Sequence, residues 1–324
     1  MLSKINLNGR RVLISGASGF IGSALIRKLR TYECEVFALI RPTSDLYRFS
    51  DIEENVKFIF YDVENTSIEQ LSQQIPDLDI MFHMAATGVN QASDKGSELI
   101  ATNVLLTRYF LEFALKKNVE CFVYLGSGFE YGAGERLPES TLFAPRSSYA
   151  VSKSVGWLQV QAYAYQNRIP TTTIRPFVVY GPAEAPTRLT SSVVRAAVVN
   201  GRIPLTNGLQ KVDMLFIDDL LDGLILASVS REAIGQTFNI CSGVPVSVRD
   251  IVQTILDVLG SEAVPEFGAI ASRASEAEVL TGDWSHAHQI LGWKPRTTLK
   301  SGLRQTVEWI LKQEKLWSSV KMTG

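Results

Sequence analysis

The chain has 324 residues, of which 46% are hydrophobic and 20% charged, so it is long enough to bury one large core or two closely packed ones. Lysine and arginine number 32 against 33 aspartate and glutamate, which gives a formal net charge of −1. This balance excludes the global basic field that would draw a protein to nucleic acid or to an anionic membrane, although a local anion pocket stays open.

The cysteine spacing and the lack of long apolar runs indicate the cellular compartment. Cys34, Cys121 and Cys241 are widely spaced, a pattern typical of a reducing environment rather than of a disulfide framework. No apolar run approaches the roughly 20 residues that span a bilayer, so we expect a cytoplasmic protein without a membrane span. His286 and His288 have no third ligand candidate nearby, so we expect no metal site.

Short β-branched stretches alternate with helical periodicity through the first half of the chain. Strands are predicted at 10–15, 34–40, 56–61, 79–86, 120–125 and 171–180. Strand and helix in repeated alternation predict a parallel sheet covered on both faces, which is a Rossmann-type, doubly wound α/β fold.

A glycine-rich turn follows the first strand directly. The letters GASGFIG place Gly16, Gly19 and Gly22 at a strand-to-helix turn. Glycines there permit positive φ and let the backbone approach a pyrophosphate that faces the amides of the helix N-terminus. The strand-turn-helix context favours dinucleotide binding over a mere tight turn. The other residues assigned to the cofactor in this turn are Ser18, Phe20 and Ile21.

The end of the second strand bears on the type of nicotinamide cofactor. Ile40 stands where a carboxylate would bind ribose hydroxyls, and Arg41 follows it. A guanidinium favours a 2′-phosphate, with Ser44 able to help, so NADP(H) is favoured over NAD(H). Alternatively, Arg41 stacks on adenine or faces solvent. Asp62 is placed either to contact the adenine amino group or to act as a local cap, and Val63 beside it is assigned to the cofactor.

The composition of the chain changes after Tyr180, where a segment rich in proline and glycine is followed by predicted helices and fewer strands. A further strand at 236–241 is placed to return to the first sheet. We predict a cofactor-binding domain of 1–180 with 218–241, and a smaller, mainly helical substrate domain of 181–217 with 242–324.

The letters SSYAVSK begin a predicted helix that Ser147 and Ser148 can cap. Tyr149 and Lys153, at i and i+4, share one face of its first turn. A fixed ammonium, with the helix N-terminus and an oxidised nicotinamide, would bring the pKa of the phenol from about 10 toward the working range. The pattern Tyr-x-x-x-Lys alone is a weak signal, so the residues that accompany it decide whether it is catalytic.

Ser127 is the accompanying residue that favours a catalytic role for Tyr149 and Lys153. It lies just beyond the fifth strand, on the edge where doubly wound sheets place their ligands, between Gly126 and Gly128. Its hydroxyl could bond a substrate carbonyl or alcohol oxygen. His83, at the end of an apolar strand, is interpreted as a satisfied buried imidazole rather than a proton relay.

These motifs in this order resemble the extended short-chain dehydrogenase/reductase family, the NAD(P)-dependent sugar epimerases, dehydratases and reductases, over nearly the whole chain. The motifs are GASGFIG, FHMAA at 82–86, Asn103, Ser127 before Tyr131-Gly132, YAVSK, IRPFVVYGP and LGWKPRTTLKSGL. The resemblance implies that Tyr149 is the general acid/base, that Lys153 binds the nicotinamide ribose and tunes Tyr149, and that Ser127 orients the reacting oxygen. Further cofactor contacts are assigned to Ala85, Asn103, Pro176 and Val178, and substrate contacts to Thr87, Ser127, Gly128, Glu130, Arg188 and Lys211.

Within this family, the chain looks most like reductases of nucleotide-activated 4-keto-6-deoxyhexoses. Such an enzyme takes hydride from NADPH to the C4 ketone while Tyr149 supplies the proton. A dehydratase is disfavoured, because Gly128 and Phe129 hold the places of that group's Asp-Glu pair. The alternatives are a nucleotide-sugar epimerase that retains NAD(P), and a non-catalytic NADP(H)-binding sensor, which would have no need of the full catalytic set.

Two departures from the family concern the substrate. Many relatives carry an Asn and an Arg, both contacting the substrate diphosphate, where this chain has Val178 and Val212. Arg188 and Lys211 could neutralise the phosphate instead. A substrate without a nucleotide diphosphate, such as a smaller carbonyl compound or a lipid-linked sugar, is the alternative.

Glu130 is placed either to contact the sugar or to brace its own loop. The resemblance also implies a homodimer with a four-helix interface, built from the helix that follows Tyr149 and the long helix through Asn103.

Overall fold

The computed structural model describes residues 5–50, 52, 56–62, 64–88, 96–199, 201–272 and 276–321. The strands of this part, in chain order, are β1 (Arg11–Ser15), β2 (Glu35–Ile40), β3 (Val56–Phe60), β4 (Ile80–His83), β5 (Cys121–Leu125), β6 (Gly134–Leu137), β7 (Thr171–Pro176), β8 (Val178–Tyr180), β9 (Ile203–Leu205), β10 (Lys211–Phe216), β11 (Thr237–Ile240), β12 (Pro245–Ser247), β13 (Pro265–Phe267) and β14 (Val279–Gly282). The α-helices are α1 (Phe20–Leu29), α2 (Ile68–Gln74), α3 (Gly96–Lys116), α4 (Ser148–Asn167), α5 (Leu189–Val198), α6 (Ile217–Val229), α7 (Val248–Leu259), α8 (Ser285–Leu291) and α9 (Leu299–Lys321).

The main sheet confirms the predicted fold class. Its seven strands run in the order β11-β7-β5-β4-β1-β2-β3, and every neighbouring pair is parallel. Val12 and Ile14 pack with α1 and α6 on one face, whereas Leu13 packs with α3 and α4 on the other. This alternation follows from the two-residue period of a strand and makes the sheet doubly wound. The strand at 236–241 does return to it, as β11.

A second sheet runs in the order β12-β10-β14-β6, with β8 also paired to β10. The second half of the chain therefore contains more strand than the mainly helical prediction. Both β6 and β8 come from the range assigned to the cofactor domain but pair with strands that follow it. The domain boundaries stay a prediction.

Two predicted strands are shorter than expected. The stretch at 171–180 divides at Phe177, because β7 pairs within the main sheet and β8 leaves it to pair with β10. Pro176 ends β7 and has no N–H to continue a ladder. The stretch at 79–86 ends its strand at His83, which frees residues 84–86 to form a loop at the sheet edge.

Two buried aspartates connect distant segments of the second half of the chain. The Asp213 carboxylate accepts the N–H groups of Ser242, Gly243 and Gly282 at 2.6, 2.9 and 3.3 Å. The Asp219 carboxylate accepts those of Arg296 and Thr297 at 3.2 and 2.9 Å. The segment WKPRT, part of the last family-like motif, is thus held against α6 by hydrogen bonds from its main-chain N–H groups to the Asp219 carboxylate.

Helices α3 and α4 pack together on one face of the main sheet. On their outer sides Leu105, Leu158 and Tyr165 are 65%, 53% and 89% exposed. The homodimer implied by the resemblance stays a prediction. None of the described helices combines the length and the apolar character that a membrane crossing requires.

Candidate functional site

A cleft with a volume of about 730 Å³ follows the carboxyl edge of the main sheet and continues onto the second sheet. Parallel strands bring their carboxyl ends to one edge, so residues distant in sequence meet there. The predicted residues that line it are Gly16, Ser18, Gly19, Phe20, Ile21, Gly22, Arg41, Ser44, Asp62, Ala85, Thr87, Ser127, Tyr149, Lys153, Pro176 and Arg188.

The glycine turn has a backbone that only glycine can form. Gly16 has a φ of +72°, and a Cβ there would come within 2.7 Å of the Ala85 amide nitrogen. A Cβ on Gly22 would approach the Gly16 carbonyl to 2.3 Å. Gly19 caps α1 without any side-chain hydrogen bond, so the helix N-terminus opens directly onto the cleft. This cradle of glycines and helix amides fits the pyrophosphate of a dinucleotide.

The end of the cleft beside β2 and β3 carries the residues assigned to the adenosine side. Ser44 accepts the Arg41 N–H at 3.1 Å, and Arg41 itself is exposed. The Asp62 carboxylate accepts from Asn65 at 2.7 Å and from the Glu64 N–H at 3.1 Å, so it caps this loop while lining the cleft. Val63 lies outside the described residues.

Ser127, Tyr149 and Lys153, the predicted catalytic residues, line the cleft together. Ser147 caps α4 by accepting the Ala150 N–H at 3.2 Å, which places Tyr149 on the first turn and Lys153 on the second. The Lys153 ammonium donates to the Leu125 carbonyl at 2.7 Å, and its Nζ lies 6.0 Å from the Tyr149 ring centroid. The Ser127 hydroxyl lies close enough to the Tyr149 phenol to lower its pKa, against the effect of burial.

The titration of these groups differs from the expectation. Burial, followed by the negative charge of Glu130, raises the pKa of Tyr149 to about 12. Burial lowers the pKa of Lys153 to about 8, against the opposing charge of Glu130. The pKa of Tyr149 therefore lies above its ordinary value, because burial and the Glu130 charge outweigh the opposing effects of Arg188 and Ser127.

His83 is buried and bridges two hydroxyls, Ser15 at 2.8 Å and Thr107 at 3.1 Å. Burial, with the Lys153 charge, lowers the pKa of this imidazole to about 3. It is a satisfied neutral core group, as predicted.

Five predicted contacts lie away from the cleft. Asn103 is buried, accepting the Thr87 N–H at 2.7 Å and donating to Ser152 at 2.9 Å, so it braces the loop after β4 while its neighbour Thr102 reaches the cleft. Val178 and Lys211 are also absent from the cleft lining among the described residues. Their assignment to cofactor or substrate is not supported.

Gly128 and Glu130 are the other two. A Cβ on Gly128 would meet the Phe177 ring at 2.8 Å, so this residue packs against an aromatic side chain instead of opening to a ligand. Glu130 is fully buried, with its carboxylate oxygens bonded to the Ser127 N–H and to Arg175, each at 2.7 Å. Of the two roles considered for Glu130, the brace is the one this geometry supports.

The sequence missed several residues that line the cleft: Arg48, Phe129, Arg146, Phe177, Gln210, Val212 and Glu276. Phe177 could have been found from the RPF letters, since the proline ends the strand at the sheet edge. Gln210 and Val212 flank Lys211, and because strand residues alternate between faces, the cleft takes them and excludes the lysine. Arg48 gave no local signal.

His286 and His288 make aromatic contacts. The His286 ring stacks on Phe238, with centroids 5.1 Å apart, and the His288 ring meets the edge of Trp284 at 5.7 Å. Across the described ranges, no group of three His, Cys, Asp or Glu side chains could hold a metal ion.

Comparison with known proteins identifies the family. The model of the "NAD dependent epimerase/dehydratase family" matches residues 12–241, which include the glycine turn, Ser127, Tyr149 and Lys153. The chain belongs to this family. The resemblance to sugar epimerases, dehydratases and reductases is thereby confirmed.

Relatives of near-equal similarity have different names. An uncharacterized UDP-glucose epimerase, YtcB, of Bacillus subtilis is 28% identical over 93% of this chain and 98% of its own. The dTDP-glucose 4,6-dehydratase of Salmonella typhimurium is also 28% identical, over 96% of this chain and 95% of its own. The structure of a UDP-glucuronic acid 4-epimerase from Bacillus cereus, in complex with UDP-glucuronic acid and NAD, superposes with a TM-score of 0.86 at 26% identity, covering 94% of this chain and 99% of that one.

These relatives agree with a nucleotide-sugar enzyme, but they are epimerases and dehydratases. None of the three is named as a 4-ketoreductase, and the solved complex holds NAD rather than NADP. The comparisons therefore fit the epimerase alternative better than the reductase that the sequence favoured.

The low pKa of Lys153 makes a prediction for stability. Between about pH 8 and 10.5, the unfolded chain binds a proton that the folded chain does not, so the free energy of unfolding should rise with pH across this window. In nucleotide-free protein, urea unfolding of wild type relative to Lys153→Met should show a gain on the order of 2–3 kcal/mol from pH 7 to 10. A difference independent of pH would mean that Lys153 keeps an ordinary pKa.

Proposed function

We propose that this protein is a nucleotide-sugar epimerase that inverts a hydroxyl-bearing carbon of the sugar and retains its nicotinamide cofactor. One observation carries the proposal: Ser127, Tyr149 and Lys153 converge on a cleft beside the glycine turn, while no free carboxylate follows Ser127 in its loop. The family and the 4-epimerase structure support the same class.

In this proposal the side chains move a proton at one sugar oxygen. Tyr149 accepts the proton of the substrate hydroxyl as its carbon is oxidised, and returns it when the opposite face is reduced. Ser127, whose hydroxyl acts on the Tyr149 phenol, orients the same oxygen. A bound nicotinamide would supply the hydride acceptor and donor. Lys153, beneath Tyr149, would hold the ribose and favour the phenolate once the cofactor is in place.

The geometry disfavours elimination of water. A dehydratase needs acid and base groups next to the hydroxyl residue, and this chain has Gly128 and Phe129 there. Gly128 lies against Phe177, and the next carboxylate, Glu130, is already paired with Arg175. With Glu130 paired in this way, the loop that follows Ser127 presents no free carboxylate to the sugar, so the site suits oxidation and reduction at one carbon.

The cofactor is proposed to be NADP(H) rather than NAD(H), although NAD occupies the related epimerase. β2 ends without a carboxylate, and Arg41 and Ser44 line the cleft where the 2′-oxygen would lie. NADP(H) and NAD(H) differ in charge at the 2′-position, so the affinity of the protein for each dinucleotide distinguishes between them.

The substrate is proposed to carry a nucleoside diphosphate. Arg146 and Arg188 line the cleft beyond Tyr149, and the Arg188 charge acts on the phenol. These guanidiniums would take the place of the phosphate-binding Asn and Arg that Val178 and Val212 replace. The lysine considered for this role is outside the cleft, so the arginines carry it.

Direct assay of epimerisation tests the proposal. Purified protein without added cofactor should convert UDP-glucose, UDP-glucuronic acid or dTDP-glucose into its C4 epimer, observed by proton NMR. Tyr149→Phe should lower the rate by at least about 100-fold, because the proton carrier is lost, while cofactor affinity changes little.

Other outcomes would assign the protein elsewhere. Consumption of NADPH with a nucleotide-linked 4-keto-6-deoxyhexose, without epimerisation of any sugar in the panel, would overturn the epimerase in favour of the reductase. Activity that survives Tyr149→Phe would refute the assigned chemistry. Cofactor binding without turnover on either panel would favour a sensor.

Retention of the cofactor generates a second prediction. Arg48 donates from Nε to the Ala183 carbonyl at 2.9 Å and from Nη1 to the Ser18 carbonyl at 3.3 Å, so it ties the glycine turn to the segment before α5 across the cleft. Arg48→Ala should lose bound nucleotide at least about tenfold faster on gel filtration, because two hydrogen bonds of about 1 kcal/mol each are removed.

Liquid chromatography of the nucleotide released on denaturation gives both its amount and its identity. Arg30→Ala, which removes an exposed arginine at the C-terminal end of α1, should leave the bound amount at the wild-type level. Equal nucleotide retention in the Arg48 and Arg30 variants would refute this role of Arg48.

A further inference from the structure

A buried ion pair lies directly behind the Ser127 turn. Arg175 is 1% exposed and Glu130 is 0% exposed, and Nε of the arginine meets the carboxylate at 2.7 Å. The arginine also donates to the Tyr131 hydroxyl at 2.9 Å, which in turn donates to Asn239 at 2.8 Å. A buried pair of this kind is costly to desolvate, and hydrophobic side chains of similar volume would often be as stable. Its presence calls for a reason other than stability.

The pair is fitted to its place from several sides. Phe143 and Trp157 lie over the Arg175 guanidinium, 4.7 and 5.0 Å from its central carbon to their ring centroids. A Cβ on Gly126 would come within 2.7 Å of the Glu130 carboxylate. Gly126, which also lines the cleft, therefore leaves room for the carboxylate behind the turn.

Glu130 touches the catalytic group through Ser127. One carboxylate oxygen accepts the Ser127 N–H, while the Ser127 hydroxyl accepts the Phe129 N–H at 3.2 Å and lowers the pKa of the Tyr149 phenol beside it. The Glu130 carboxylate is thus linked to the reacting oxygen through the N–H and then the hydroxyl of Ser127. A shift of the carboxylate would move the hydroxyl that orients the substrate.

The charge of Glu130 also acts on both titrating members of the site. It raises the pKa of Tyr149 and the pKa of Lys153. The other charged or titratable groups facing Tyr149 and Glu130 are Tyr124 on β5, Tyr131 beside Glu130, Lys153 on α4, Arg175 on β7 and Arg188 before α5. Of all the groups named in this paragraph, only Glu130 carries a carboxylate.

We propose that Glu130, held by Arg175, is a positioning residue of the reaction: it fixes the Ser127 hydroxyl against the cleft and places one negative charge behind Tyr149. This role rests on the proposed function, in which Tyr149 carries the proton. A negative charge behind the phenol makes it a stronger base once ionised and keeps it protonated until the cofactor and substrate are bound.

Two substitutions separate position from charge. Glu130→Gln keeps an oxygen for the Ser127 N–H but removes the charge, so the pKa of Tyr149 should fall by about one unit or more. Glu130→Asp keeps the charge but withdraws it by one methylene, so kcat should fall about tenfold or more while the pKa of Tyr149 stays near the wild-type value. In both variants KM should stay within about twofold of the wild-type value, because residue 130 does not line the cleft.

The pKa of Tyr149 is measured in the holoprotein from tyrosinate absorbance, with Tyr149→Phe of each background as the blank. Glu139→Gln is the matched control: Glu139 is a partly buried carboxylate that accepts the Asn239 N–H at 2.7 Å in the same network but away from Ser127. It should leave the Tyr149 titration unchanged and kcat near wild type.

An unchanged Tyr149 titration in Glu130→Gln would overturn the charge role, and kcat losses equal to those of Glu139→Gln would overturn the positioning role. If Glu130→Gln does not fold, Glu130→Asp carries the test, and a wild-type kcat in that variant refutes the proposal. Since the absorbance titration needs no turnover, a shifted Tyr149 in a protein without epimerase activity would reject the proposed function while leaving the electrostatic coupling in place.

Discussion

The parallel alignment of the main sheet is the constraint on which the site depends. Because β1, β2, β4, β5 and β7 all end at the same edge, the glycine turn, the 84–86 loop, the Ser127 turn and Phe177 meet although they lie far apart in sequence. The close approach of Gly16 to Ala85 joins the first two of these loops without any side chain between them. Helix α4 then needs only one cap, Ser147, to bring Tyr149 and Lys153 to the same edge.

The electrostatics of this edge are those of a site completed by its ligands. In the protein alone, burial disfavours both the phenolate of Tyr149 and the ammonium of Lys153, and Glu130 further disfavours the phenolate. A cationic nicotinamide and the phosphates of a dinucleotide would change both balances. Proton transfer is thereby coupled to binding, which suits an enzyme that keeps its cofactor and must not expose a strong base to water between turnovers.

Much of this could be predicted from local patterns. The period-2 and period-3.6 stretches gave the sheet and its helices, the glycine spacing gave the dinucleotide turn, and the i, i+4 spacing placed Tyr149 beside Lys153. Each of these signals lies within one element and its flanks. The strand limits were less certain, and the division at Phe177 depends on a partner, β10, that local sequence does not reveal.

What the sequence could not give depends on contacts between distant residues. Glu130 and Arg175 are 45 positions apart, and Arg48 and Ala183 are 135 apart. No periodicity links such pairs. Lys211 was assigned to the substrate by its charge, yet its neighbours on either side line the cleft, since a shift of one residue along a strand reverses the face. The preference for a reductase came from family-like motifs around the site, whereas the relatives are epimerases and dehydratases.

The most direct test of the account follows one hydrogen atom. A nucleotide sugar that the protein accepts would be labelled with deuterium at C4 and converted in ordinary water, and the product would be analysed by NMR. Removal and return of hydride within one closed site predicts a C4 epimer that keeps its deuterium, with no labelled cofactor released. Deuterium lost to water, or found on free reduced nucleotide, would contradict the account.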